Sequence, residues 1–148
     1  MRFWLELNQE KDYGQIPVLN QNGKAEFFIQ GNLDNPNHTL YLNNFRKQEV
    51  GRLFSDGAGL IASFTIDVVN HSLVGVKKLN TPTANIFYLT QLKYIVTGSI
   101  KRGTYTFRSG IKSVASVQTI MGDRGGVLIC DITKPEDVPF ILLTSVLF

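Results

Sequence analysis

Apolar and polar residues alternate with a period of two along most of this chain. From Leu60 to Val68 the residues Leu60, Ala62, Phe64, Ile66 and Val68 fall on one face, and Ser63, Thr65 and Asp67 fall on the other. That is the pattern of a half-buried strand. Tyr105 and Phe107 alternate in the same way with Thr104, Thr106 and Arg108, which assigns both rings to a core. Further strand-like runs cover residues 3–7, 16–19, 26–30, 39–43, 49–54, 73–77, 86–89, 93–100, 113–121 and 127–132. Turn signals separate them: the polar residues 8–15, the Asn-rich residues 31–37 with Pro36, Ser55-Asp56-Gly57, Asn70-His71, Pro82, Arg102-Gly103 and residues 122–126. Asn22-Gly23 predicts a type I′ hairpin, since that turn needs positive φ at both central positions, and it sets Val18 opposite Phe27 and Ile16 opposite Ile29. Eleven or twelve short strands at near-regular spacing predict a barrel or sandwich, and a closed barrel leaves no unpaired edge.

The period changes at the end of the chain. Residues 138–148 are uncharged and almost wholly apolar, so a helix there is apolar on every side and has to be buried. About 18 apolar residues are needed to cross a bilayer, and this run has too few, which leaves burial inside the protein. Thr133-Lys134-Pro135-Glu136 looks like a capping box but would place Pro139 inside the helix. Asp137 as N-cap with Pro139 in the first turn removes the conflict. The lumen of the barrel is the expected place for this helix. Filled by Phe140, Leu142, Leu143 and Leu147, it leaves little room for a ligand, so activity is expected on the outside. Glu49-Val50-Gly51-Arg52-Leu53 and Leu73-Val74-Gly75-Val76-Lys77 echo each other at a spacing that fits one hairpin unit.

Composition adds a compartment and a charge asymmetry. At 148 residues one domain is expected. The first seven residues meet an acid at Glu6 and offer no apolar run for a secretory signal, and Cys130 is the single cysteine. Both features point to a cytoplasmic protein without disulfides. The net charge is +3, but no acidic residue lies between Asp67 and Asp123, an interval that holds Lys77, Lys78, Lys93, Lys101, Arg102, Arg108 and Lys112. Such asymmetry favours an anionic partner.

The hairpin of residues 22–31 carries a resemblance to a known family. So do the segment Leu40-Tyr41-Leu42 leading to Glu49-Val50-Gly51-Arg52-Leu53, the second Val74-Gly75 hairpin and the ending 137–148. Together they resemble the tubby C-terminal-like superfamily, which includes the phospholipid scramblases, and most of all its LURP-one-related branch. The resemblance implies a closed antiparallel barrel of about twelve strands around a central hydrophobic C-terminal helix. Residues 3–7 and 8–15 depart from that pattern. No residue matches the phosphoinositide motif of tubby domains, so none is carried over from it.

Candidate chemistry is sparse. His38 and His71 sit in predicted turns beside Asn, as do Asp34, Asp56 and Asp123 in theirs, which fits backbone bonding better than metal ligation. Gly57-Ala58-Gly59 lacks a third glycine and leads into a strand, so it is no dinucleotide fingerprint. Cys130 lies in an apolar strand with no base nearby to generate a thiolate. Asp67 and Asp131 would serve as an acid and base pair only if the fold brought them together. Tyr94, Tyr105 and Phe107 among basic residues offer stacking for bases, but no RNP sequence accompanies them. No catalytic residue, cofactor or metal is expected, and nucleic acid is not the expected partner. The expectation is a non-enzymatic module at the membrane periphery that binds acidic phospholipid headgroups through Lys77, Lys78, Lys101, Arg102, Arg108 and Lys112. A protein-interaction domain is the alternative.

Overall fold

A computed structural model describes residues 1–7, 15–31, 39–57, 61–81, 84–99, 101–122 and 125–148. Among them run twelve strands: β1 (Arg2–Glu6), β2 (Gln15–Leu19), β3 (Ala25–Gln30), β4 (Leu40–Asn44), β5 (Glu49–Gly57), β6 (Ile61–Val68), β7 (Val74–Asn80), β8 (Ala84–Leu89), β9 (Tyr94–Ser99), β10 (Thr104–Ser109), β11 (Lys112–Gly122) and β12 (Gly125–Ile132). Each strand pairs antiparallel with its neighbour in sequence, and β1 also pairs with β12, which closes the sheet into a barrel. The period-two alternation explains the closure. Inward residues such as Leu5, Val18, Leu42, Ile66, Val96 and Phe107 are buried, and their neighbours in sequence face out.

The apolar ending enters this barrel. A 3-10 turn (Pro135–Asp137) leads into α1 (Val138–Ser145), in which every residue except Pro139 is buried. Burial on all sides is possible because the two polar side chains bond within the helix. Thr144 donates to the Phe140 carbonyl at 2.7 Å, and Ser145 donates to those of Ile141 and Leu142 at 2.8 and 2.9 Å. The helix crosses the lumen lengthwise: Phe140 meets the ring of His71 in the β6–β7 turn, and Phe148 stacks on Tyr105 at 4.0 Å and meets Phe87 edge-on.

Several local expectations change. The register Val18↔Phe27 and Ile16↔Ile29 is as predicted, but the turn between β2 and β3 is not type I′. Only Gly23 takes positive φ, and the loop spans Asn20 to Lys24, closed by Gly23 N–H to the Asn20 carbonyl at 3.0 Å. The Asn20 side chain accepts from the amides of Asn22 and Lys24, which favours this longer loop and leaves a bulge beside Leu19. Ser55-Asp56-Gly57 continues β5 instead of turning, because Asp56 accepts the hydroxyl of Thr65 across the ladder to β6. Asp137 does not cap the helix with its side chain. The 3-10 turn holds it in αR, where its carboxylate cannot reach back to the first amides. The Val-Gly echo carries no common register, since Gly51 aligns with inward Leu53 whereas Gly75 lies between inward Val74 and Val76. The expectations for residues 8–14, 32–38, 58–60, 82–83, 100 and 123–124, among them His38, Asp34 and Asp123, lie outside the described residues.

Candidate functional site

In a barrel whose strands run up and down in sequence order, every second turn lies at the same end. The end where the chain enters α1 therefore gathers the turns β2–β3, β4–β5, β6–β7, β8–β9 and β10–β11 with residues 133–137. Their side chains share a composition. Lys24, Arg46, Lys47, Lys93 and Lys134 are in these segments, with Lys112 at the first position of β11, and all six are exposed. Against them stand Glu136, the buried Asp137 and, at the first position of β5, the exposed Glu49, which pairs with Arg52 at 2.7 Å. Between the cations project apolar tips: Ile111 is 99% exposed, Phe45 62%, and Val69 and Leu73 55% each. The Arg46 guanidinium lies 5.4 Å over the Phe45 ring, so one tip presents charge and apolar surface together. Around the same rim, Met1, Phe3, Phe27, Val50, Pro135, Val138 and Pro139 line a mostly apolar groove of about 250 Å³, with Glu26 as its one charged side chain.

Turn chemistry builds these tips. Lys47 and Lys93 adopt positive φ (63° and 56°), which closes tight connections and leaves the long side chains outside the ladder. Asn44 Oδ1 accepts from the amides of Arg46 and Gln48, and so holds the Phe45-Arg46-Lys47 turn upright. Under this rim the buried Tyr94 hydroxyl donates to Asp137 at 2.8 Å. Burial, with the bond to Asp137, pushes the Tyr94 hydroxyl up to about 12, and burial also raises the Asp137 carboxyl above its ordinary value. The pair ties the start of α1 to β9.

The six predicted anion ligands do not form one patch. Arg108 lies near the entry-end terminus of β10, next to Lys112 across the β10–β11 turn. Lys101 and Arg102 occupy the β9–β10 turn at the opposite end. The length of β10 between them is about 17 Å along the strand, twice the screening length of physiological salt, so the two groups act separately. Lys77 faces outward in the middle of β7 and donates to Ser63 at 3.1 Å. Lys78 is turned into the barrel. Its ammonium donates to the Leu147 carbonyl at 2.8 Å and lies 5.4 Å from the Phe87 ring, and burial lowers its pKa. It caps the end of the central helix region from across the lumen. Alternation carried that signal, since Lys78 has the parity of inward Val74 and Val76.

Sequence reasoning missed Lys24, Arg46, Lys47 and Lys134, which lie outside the acid-free interval in sequence and at the same end of the barrel as Lys112, and it left Lys93 out of the candidate ligands. The parity of the turns would have found them. The remaining candidates are dispersed. Asp67 on β6 and Asp131 on β12 stand six strands apart, on opposite walls, and Asp131 pairs with Arg2 at 2.7 Å. Cys130 is buried, with its thiol pushed up to about 12 by burial, which keeps it neutral at physiological pH. The His71 ring nitrogen contacts the Val69 carbonyl at 3.0 Å, a local role within its turn. Tyr94, Tyr105 and Phe107 are core residues. No group of three or more metal-ligating side chains occurs among the described residues.

No helix among the described residues is long and apolar enough to cross a membrane. No family model matches the chain, and no curated protein matches it. The solved structure of a protein from Arabidopsis thaliana, AT5G01750, is similar in fold over 99% of this chain and 89% of its own, with a TM-score of 0.61 at 15% identity.

Proposed function

We propose that this chain is a non-enzymatic barrel of the tubby C-terminal-like, LURP-one-related kind, and that it docks its helix-entry end on anionic phospholipid at a cytoplasmic membrane surface. The observation that carries this reading is the gathering of Lys24, Arg46, Lys47, Lys93, Lys112 and Lys134 with the exposed tips Phe45, Val69, Leu73 and Ile111 on one end. Each basic residue held at an anionic surface contributes about 1 kcal/mol, and apolar tips add burial at the boundary between headgroups and acyl chains. The twelve-strand barrel with a central helix and the likeness to the plant structure support the family assignment. The dispersal of Asp67, Asp131 and Cys130 supports a role without catalysis.

Sedimentation with phosphatidylserine vesicles tests this reading. Binding is expected at low ionic strength, with loss in high salt and none to phosphatidylcholine. Arg46→Glu/Lys47→Glu, which changes the charge of the entry end by four units, is expected to weaken binding by about tenfold or more. Lys101→Glu/Arg102→Glu, at the far end, is expected to leave it within about twofold by the screening argument. Absence of binding by the parent protein would end the proposal.

A further inference from the structure

The outer wall of β6–β10 carries a second surface, which reaches the entry end at Tyr88, Ile95 and Arg108 and runs from there toward the opposite end at Leu79, Ile86 and Ile61. Ile61 pairs with Leu79 and Leu79 with Ile86 across β6, β7 and β8, and one step along the strands Lys77 pairs with Tyr88, Tyr88 with Ile95 and Ile95 with Arg108. Residues opposite each other on one face have Cβ atoms about 5 Å apart, so these two rows form one continuous surface. Its centre is Ile61, Leu79, Ile86, Tyr88 and Ile95, all exposed, although outward positions of a barrel in water are ordinarily polar. Its two flanks are cationic, Lys77 and Arg108; the acids on the adjoining strands are Asp67 near the end of β6, opposite Arg52, and Asp56 on β5, whose carboxylate accepts the Thr65 hydroxyl.

We infer that this wall is a docking surface for a protein partner that presents an apolar centre flanked by carboxylates. Charge complementarity selects that occupant. A second copy of the chain is disfavoured, because a two-fold axis along the row sets Lys77 against Lys77 and Arg108 against Arg108, and an axis across it sets Lys77 against Arg108. Strand addition is also disfavoured, since each of the twelve described strands already has two neighbours. The partner therefore binds through side chains, as an amphipathic helix does when it lays its apolar face on a surface. Tyr88 sits near the middle of the wall and is the expected anchor.

The surface is tested with two synthetic amphipathic helical peptides, identical in their leucine face and flanked by glutamates in one and lysines in the other. Each is titrated into the isotope-labelled full chain and followed by amide chemical shifts. The glutamate peptide is expected to shift and saturate the amides of residues 77–79, 86–88 and 95–97 and of Arg108, and to bind at least about tenfold tighter than the lysine peptide. Leu79→Glu/Ile86→Glu, in the half of the wall away from the entry end, is expected to abolish those shifts while the remaining amide spectrum and vesicle binding stay unchanged. Equal effects of both peptides, shifts confined to the entry end, perturbation of the wall by anionic vesicles instead of peptide, or dimerisation through the wall would each overturn the inference.

Discussion

Replacing Phe140 with alanine is expected to lower the unfolding free energy by about 3 to 5 kcal/mol, read from denaturant midpoints at unchanged slope. The ring is buried within a helix that has no solvent face, so the truncation opens a cavity whose walls belong to a closed sheet. Such a sheet collapses poorly. Partial relaxation in an open sandwich would allow one layer to move in, but here every strand is held by two neighbours. A loss below about 1 kcal/mol would mean that α1 is peripheral to the core and that the barrel is stable without it.

Gly98→Ala is the second large effect, and it acts by overfilling. Gly98 points into the lumen on β9 and pairs with Tyr105 on β10, and a methyl group there would overlap the Thr104 carbonyl oxygen and the Tyr105 ring. The ring cannot swing aside freely, because it is stacked on Phe148 at an interplanar angle of 15° and its hydroxyl engages Asn85. The expected cost is about 3 kcal/mol or more, at the upper end of overpacking effects. Gly126→Ala is the control. It would meet only Leu7 at 3.6 Å, an ordinary contact, and is expected to change stability by less than about 1 kcal/mol. Thermal or chemical unfolding of both variants decides the matter, and equal stabilities would contradict the packing described around Tyr105.

Much of the fold was legible because a closed barrel repeats one rule. Alternation placed Phe64, Ile66 and Val68, and later Tyr105 and Phe107, on the inward face, and the all-apolar ending had nowhere to be buried except the lumen. Short-range chemistry was harder to read. Asn22-Gly23 satisfies a two-residue turn in isolation, yet the Asn20 side chain stabilises a longer one. Asp137 is a suitable N-cap by type, but Tyr94, buried and 43 residues away in sequence, claims its carboxylate. Neither competition is visible in a local window.

The candidate site was less legible for a topological reason. A linear charge count joins Lys77 to Lys112, whereas an up-and-down barrel sends consecutive turns to opposite ends. Lys101-Arg102 is thereby separated from Arg108 and Lys112, while Arg46-Lys47 joins them from outside the interval. Adjacent lysines are likewise split between faces: Lys77 meets solvent, and Lys78 closes on the Leu147 carbonyl.

The orientation on a membrane is the claim from which the proposed function follows. It is tested most directly by an environment-sensitive fluorophore attached at Ile111→Cys in one sample and at Arg102→Cys in another, with buried Cys130 left unlabelled. On addition of phosphatidylserine vesicles, the probe at position 111 is predicted to shift to the blue and become shielded from an aqueous quencher, while the probe at position 102 stays in water. Shielding at position 102 instead, or at neither position while the protein sediments with the vesicles, would contradict docking through the helix-entry end.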